Sequence, residues 1–148
     1  MHTLEFTVLI DASPSTVWNT MLQDKTYRLW TAAFTEGSHY VGSWEQGARI
    51  QFLDPKGGGM TAVIAENRPY EYISIKMLGY IENGVEDTES EAIRAWAPAY
   101  ENYTFTPRGA STELRIDVQV TPDFVDYMQD TYPRALEILK SLCEQSGS

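Results

Sequence analysis

The residues in this chain that could do chemistry gather by type and spacing more than by motif. In the run YENYTF, Glu101, Tyr103 and Phe105 occupy alternate positions, so on a strand all three side chains project to one face. A carboxylate between rings can orient a polar group or move a proton, but an unpaired buried charge is costly and needs a partner or a ligand. The alternative is that Glu101 ends its strand in water. Upstream, Trp30 and Phe34 share a face at helical spacing, Tyr40 and Trp44 one side of an extended segment, and Phe52 one side of the next. Rings converging from several segments describe the wall of a pocket, in which tyrosine hydroxyls would need hydrogen-bond partners. A filled aromatic core is the competing reading.

Other constellations fail on chemistry. Gly42 to Gly47 has the glycine spacing of a phosphate loop, but Ala48-Arg49 follows where Lys and Ser or Thr are required. Gly57-Gly58-Gly59 opens a strand rather than a helix and reads as a hairpin turn. Asn102-Tyr103-Thr104 matches a glycosylation acceptor, and without a secretory pattern in the N-terminal residues a coincidental match is the expectation. His2, His39 and the single Cys143 lack zinc-ligand spacing, and His39 lies out of phase with Tyr40 and Trp44. No serine sits in a GxSxG elbow. The acids Glu82, Glu86, Asp87, Glu89 and Glu91 lack the ordered spacing of a calcium loop and read as a solvated face. No metal, cofactor or catalytic residue is therefore expected.

These side chains must be positioned by one domain, residues 1–148, since the length supports one core. With 21 acidic against 11 basic residues the formal charge is -10, which repels phosphate backbones and anionic lipid, so neither nucleic acid nor membrane is an expected partner. The N-terminus enters an alternating pattern without a basic leader, and no run reaches the roughly 18 apolar residues of a membrane span. A cytoplasmic location is the expectation.

Leu4, Phe6, Val8 and Ile10 alternate as a first strand. Ser13-Pro14 then starts a helix with Val17, Trp18, Met21 and Leu22 as its stripe, and a second short helix follows near 25–33. Alternating runs separated by turn residues predict strands near 38–44, 48–53, 60–67, 71–79, 100–107 and 111–120. From Val125 to Cys143 an apolar stripe passes unbroken through Pro133, giving either one long bent helix or two helices with Thr131 capping the second. Met128 lies on that stripe and is a candidate for the pocket wall beside the rings, as a methionine adds contact area; Cys143 also lies on it, a small core-facing residue. Residues 145–148 should fray.

This order of elements resembles the START-like, or helix-grip (SRPBCC), superfamily related to the birch pollen allergen. IDASPSTVWNTM is similar to its strand-end and Val-Trp helix, NRPYEYISI to its Pro-led strand, YTFTPRGASTELRI to its penultimate hairpin and YPRALEILKSL to its closing helix. Together they look most like the branch similar to activators of the ninety-kilodalton heat-shock protein ATPase. NGVEDTESEAIRAWAPAYENYT is similar to a signature of a bacterial subgroup. The resemblance implies an α+β fold, a curved antiparallel sheet of about seven strands around a long C-terminal helix, with two short helices after strand one. It also implies a cavity between helix and sheet for an apolar or amphipathic small molecule. Members include binding proteins, polyketide cyclases and co-chaperone domains, so fold leaves function open.

The expectation is a non-enzymatic ligand-binding protein, with a cyclase-like enzyme and a co-chaperone-like interaction module as alternatives. The connection 80–99 exceeds the usual hairpin loop of about 2–5 residues and carries Ile81, Val85, Ile93 and Trp96 among its acids. Either it folds over the cavity as a lid with Trp96 inward, or Trp96 contacts a second subunit in a homodimer.

Overall fold

The computed structural model describes residues 1–146. The first strand, β1 (His2–Ile10), is followed by α1 (Pro14–Leu22), α2 (Asp24–Trp30) and a 3-10 turn over Thr31–Ala33. Ser13 caps α1, its Oγ accepting from the Thr16 amide at 3.3 Å, and Pro14 occupies the first turn, where a missing amide hydrogen costs nothing. The strands β2 (His39–Gly42), β3 (Arg49–Leu53), β4 (Gly59–Arg68), β5 (Tyr72–Glu82), β6 (Val85–Asp87), β7 (Ala99–Arg108) and β8 (Ser111–Val120) complete the sheet. A four-residue helix, α3 (Glu91–Arg94), sits between β6 and β7, and a 3-10 turn over Pro122–Phe124 leads into α4 (Val125–Ser146).

All pairs are antiparallel, in the order β1-β8-β7-β5-β4-β3-β2, with β6 on the far end of β5. Period-two alternation sets the inner face: Leu114, Ile116, Val118 and Val120 of β8 and Ile73 and Ile75 of β5 are buried. Register shifts between β4 and β5, at Thr61/Ala62 and Ile64/Glu66, are bulges of the kind that bend a strand. α4 lies against the concave side, with Tyr132, Ala135, Leu136, Leu139 and Cys143 buried. It is one helix with Pro133 inside it, and it runs through Gln145 to Ser146, where the sequence predicts fraying; residues 147–148 lie outside the described residues. Burial pushes the Cys143 thiol up to about 11, in keeping with a packing residue.

The sheet has eight strands, against about seven expected. The extra one is β6, formed because Asn83 (φ 52°) and Gly84 (φ 77°) make a two-residue turn with both central residues left-handed. Gly79 admits this hairpin, since a Cβ there would lie 2.0 Å from the Asp87 carbonyl oxygen. The connection 80–99 is thus a β-hairpin, a short helix and a return, rather than a free loop. Among the described residues no helix is long and apolar enough to cross a membrane.

Candidate functional site

Between α4, α2 and the concave sheet lies a cavity of about 540 Å³, within the size range of small-molecule sites. β7 supplies Glu101 and Tyr103 by the alternation that hides Ile75 and Val118 beside them in register. α2 contributes Tyr27 and Trp30, and α4 contributes Met128 and Tyr132. Phe34 and Phe52 close one side, while Tyr80 of β5 and Trp96 close another with ring centroids 4.9 Å apart. Phe124 and Tyr127, 45% and 44% exposed, mark where the cavity meets solvent.

At its base is one polar cluster. The Tyr132 hydroxyl donates to Oε2 of Glu101 at 2.5 Å, and the Tyr103 hydroxyl joins both by side-chain hydrogen bonds. Burial raises the Glu101 carboxyl above the ordinary carboxylate range; the two hydroxyls pull it back in part, and Asp117 pushes it up further. Glu101 retains some accessible surface, and its place in the lining directs that surface into the cavity. Burial, then the charge of Glu101, raises Tyr27 above its usual range, with a hydrogen bond to Ser38 opposing; Tyr103 and Tyr132 are raised for the same leading reasons. All three phenols are therefore neutral at ordinary pH. Tyr132 is further fixed by Phe6, stacked at 4.9 Å, and by Phe34, edge-on at 5.1 Å.

The lining has no Lys, Arg or His side chain. Its other acid, Asp54, is committed to its own turn, accepting from the amides of Lys56 at 2.7 Å and Gly58 at 3.0 Å, and these bonds hold its carboxyl below the usual range. Among the described residues no three of His, Cys, Asp and Glu converge as a metal would require. His39 accepts or donates only locally, its Nδ1 2.9 Å from the Gly37 carbonyl.

Of the ten side chains the sequence suggests, Trp30, Phe34, Phe52, Trp96, Glu101, Tyr103 and Met128 line the cavity. Tyr40, Trp44 and Phe105 stand outside the lining. Tyr40 and Trp44 pack with Tyr27 and Phe52 behind it, and both spend their polar atoms on the Leu22 carbonyl, at 2.7 and 3.0 Å. Leu22 ends α1, where carbonyls lack helical partners, and that need draws both rings away. Phe105 is buried against Trp18, centroids 5.2 Å apart. Tyr27 and Tyr132 were not singled out from the sequence, because rings on a helical stripe look the same whether they fill a core or face a void.

Comparison with solved structures places this architecture. A crystal structure of a Mesorhizobium loti protein has a TM-score of 0.74 at 17% identity, over 97% of this chain and 98% of the other. The solution structure of the Aha1 dimer from Colwellia psychrerythraea scores 0.73 at 17% identity, over 97% of each chain. The crystal structure of CalU16 from Micromonospora echinospora scores 0.66 at 13% identity, over 95% of this chain and 73% of the other. No family model and no curated protein matches the sequence. The fold is therefore the helix-grip fold, as the sequence resemblance implies, and at these identities the likeness speaks to fold alone.

Proposed function

We propose that this protein binds an apolar or amphipathic small molecule in the cavity between sheet and C-terminal helix, without transforming it. The observation that carries this reading is a ring-walled space of about 540 Å³ with a single polar cluster at its base. Ring faces and the Met128 thioether supply contact area, and the cluster orients one polar end of the ligand. Native mass spectrometry of protein purified from its own host tests it. A retained small molecule, displaced by an apolar fluorescent probe, is the expected outcome; protein that never carries a ligand and binds no apolar probe would sink the reading.

One observation favours a second reading, a cyclase-like enzyme. Glu101 is a carboxyl with a raised pKa inside the cavity, the kind of group that can pass a proton to or from a folded substrate. Turnover of an aromatic polyketide chain, lost in Glu101→Gln with binding kept, would favour that reading over simple binding.

A further inference from the structure

Resting on the cavity as a ligand site, we propose that the ligand is an organic cation: an amine on an apolar body, whose ammonium group pairs with Glu101 among the surrounding rings. Three independent features converge on this class. First, Glu101 has no cationic partner. No Lys, Arg or His side chain lines the cavity, and the arginines of α2 and α4 are engaged with acids of their own helices, Arg28 with Asp24 at 3.2 Å and Arg134 with Asp130 at 3.0 Å. The one cation carried by a lining residue is the α-amino group of Met1, a residue 54% exposed. Buried charges are ordinarily paired, so a ligand that brings the missing charge completes the site.

Second, the carboxylate has acceptor capacity to spare. Tyr132 and Tyr103 occupy two positions of the roughly four that a carboxylate offers, and Glu101 still presents surface to the cavity. Third, the walls suit a cation. Tyr27, Trp30, Phe34, Phe52, Tyr103 and Tyr132 place ring faces and edges around the space, and ring faces attract ammonium groups while offering an apolar body its contact area. The same arrangement works against fatty acids, phospholipids and other anions, which would meet a carboxyl with no basic side chain to offset it.

The groups that face Glu101 are Tyr27 from α2, Tyr103 from β7, Tyr132 from α4 and, through the sheet, Asp117 of β8. None of these adds a positive charge. Because burial favours the protonated acid, capture of a cation draws a proton off Glu101, and cation affinity should rise with pH through its titration while affinity for a neutral ligand stays level.

Three probes of one shape decide it: anthracenylmethylamine, anthracenylmethanol and anthracenecarboxylate, followed by their own fluorescence on titration into the whole protein. The expected order is amine first, by about tenfold or more over the alcohol, with the carboxylate weakest. In Glu101→Gln the amine should lose its advantage over the alcohol. Should the variant not fold, as judged by its circular dichroism, the order in the unaltered protein still decides. Equal binding of all three, or a preference for the carboxylate, overturns the cation inference and leaves the binding function standing; no binding by any of them overturns both.

Discussion

The Tyr132 hydroxyl donates to Glu101 at 2.5 Å, tying α4 to β7 through the one polar cluster at the base of the cavity. The Tyr103 hydroxyl of β7 adds a second polar link to Tyr132, and apolar contacts surround the pair. Tyr132→Phe keeps the stack on Phe6 and the edge contact with Phe34, and removes only the donor. A hydrogen bond is worth about 0.5–1.5 kcal/mol between neutral groups and about 1.5–3 kcal/mol to a charged one, so urea unfolding should show a loss within that range, larger at pH values where Glu101 is ionised. Carboxyl NMR should show the Glu101 titration moved upward. A variant as stable as the parent, with that titration unmoved, would mean the bond is not formed in solution.

Glu101 also sets a pH dependence whose sign follows from its environment. Its carboxyl is raised in the folded protein, chiefly by burial, so the folded state favours the proton. That contribution is fully present below the unfolded carboxylate range and is lost as pH rises through the raised folded value. Glu101→Gln, a neutral side chain of the same shape, should therefore gain more in Tm over the parent near pH 8 than near pH 4. Melting curves at the two pH values measure it, and a larger gain in acid would contradict it.

Tyr40 and Trp44 form a pair that can be separated from the cavity by energetics. Each donates to the Leu22 carbonyl, at 2.7 and 3.0 Å, and one carbonyl can accept both. Removing one donor leaves that oxygen satisfied, whereas removing both strands it. Tyr40→Phe and Trp44→Phe together should thus cost more than the sum of the single changes, by about 0.5–3 kcal/mol in a double-mutant cycle read by denaturant unfolding. Strict additivity would show that the two rings do not share the carbonyl.

Much of this fold can be read from the chain, and the cavity only partly. Alternation at Leu114, Ile116, Val118 and Val120 and the stripe from Val125 to Cys143 are direct records of which face is buried, so strands and helix follow from them. The parity that groups Glu101 with Tyr103 likewise matches the face they share. What periodicity does not contain is curvature. Whether a buried ring touches another ring or a void depends on how bulges in β4 bend the sheet, and so Tyr27 and Tyr132 went unmarked while Phe105, in phase with both cavity residues, lies against Trp18. The β6 hairpin had a local signal, Asn83-Gly84, but its strand is three exposed residues with no alternation to flank the turn.

Trp96 carries the last prediction. Its ring is half-buried, packs on Tyr80 at 4.9 Å and lines the cavity, while Ile93 of α3 is buried and anchors the segment from β6 to β7. Val85, by contrast, is 68% exposed, and the hairpin tip is held through backbone, the Gly84 amide donating to the Gly57 carbonyl at 2.8 Å. The acids of this segment face water; Asp87 accepts from the amides of Glu89 and Ser90, and Glu86 from Gln51 at 3.0 Å, which shapes the strap without closing it. A strap held by Ile93 that presents one ring to the cavity should slow ligand exit mainly through that ring. Trp96→Ala should therefore raise the dissociation rate of a bound apolar probe by about tenfold, the range of a lost aromatic contact, with the fold and the oligomeric state unchanged. Stopped-flow displacement gives the rate, and light scattering gives the mass. A dimer that falls to monomer with the probe's dissociation rate unaltered would assign Trp96 to an interface between two copies and remove it from the cavity.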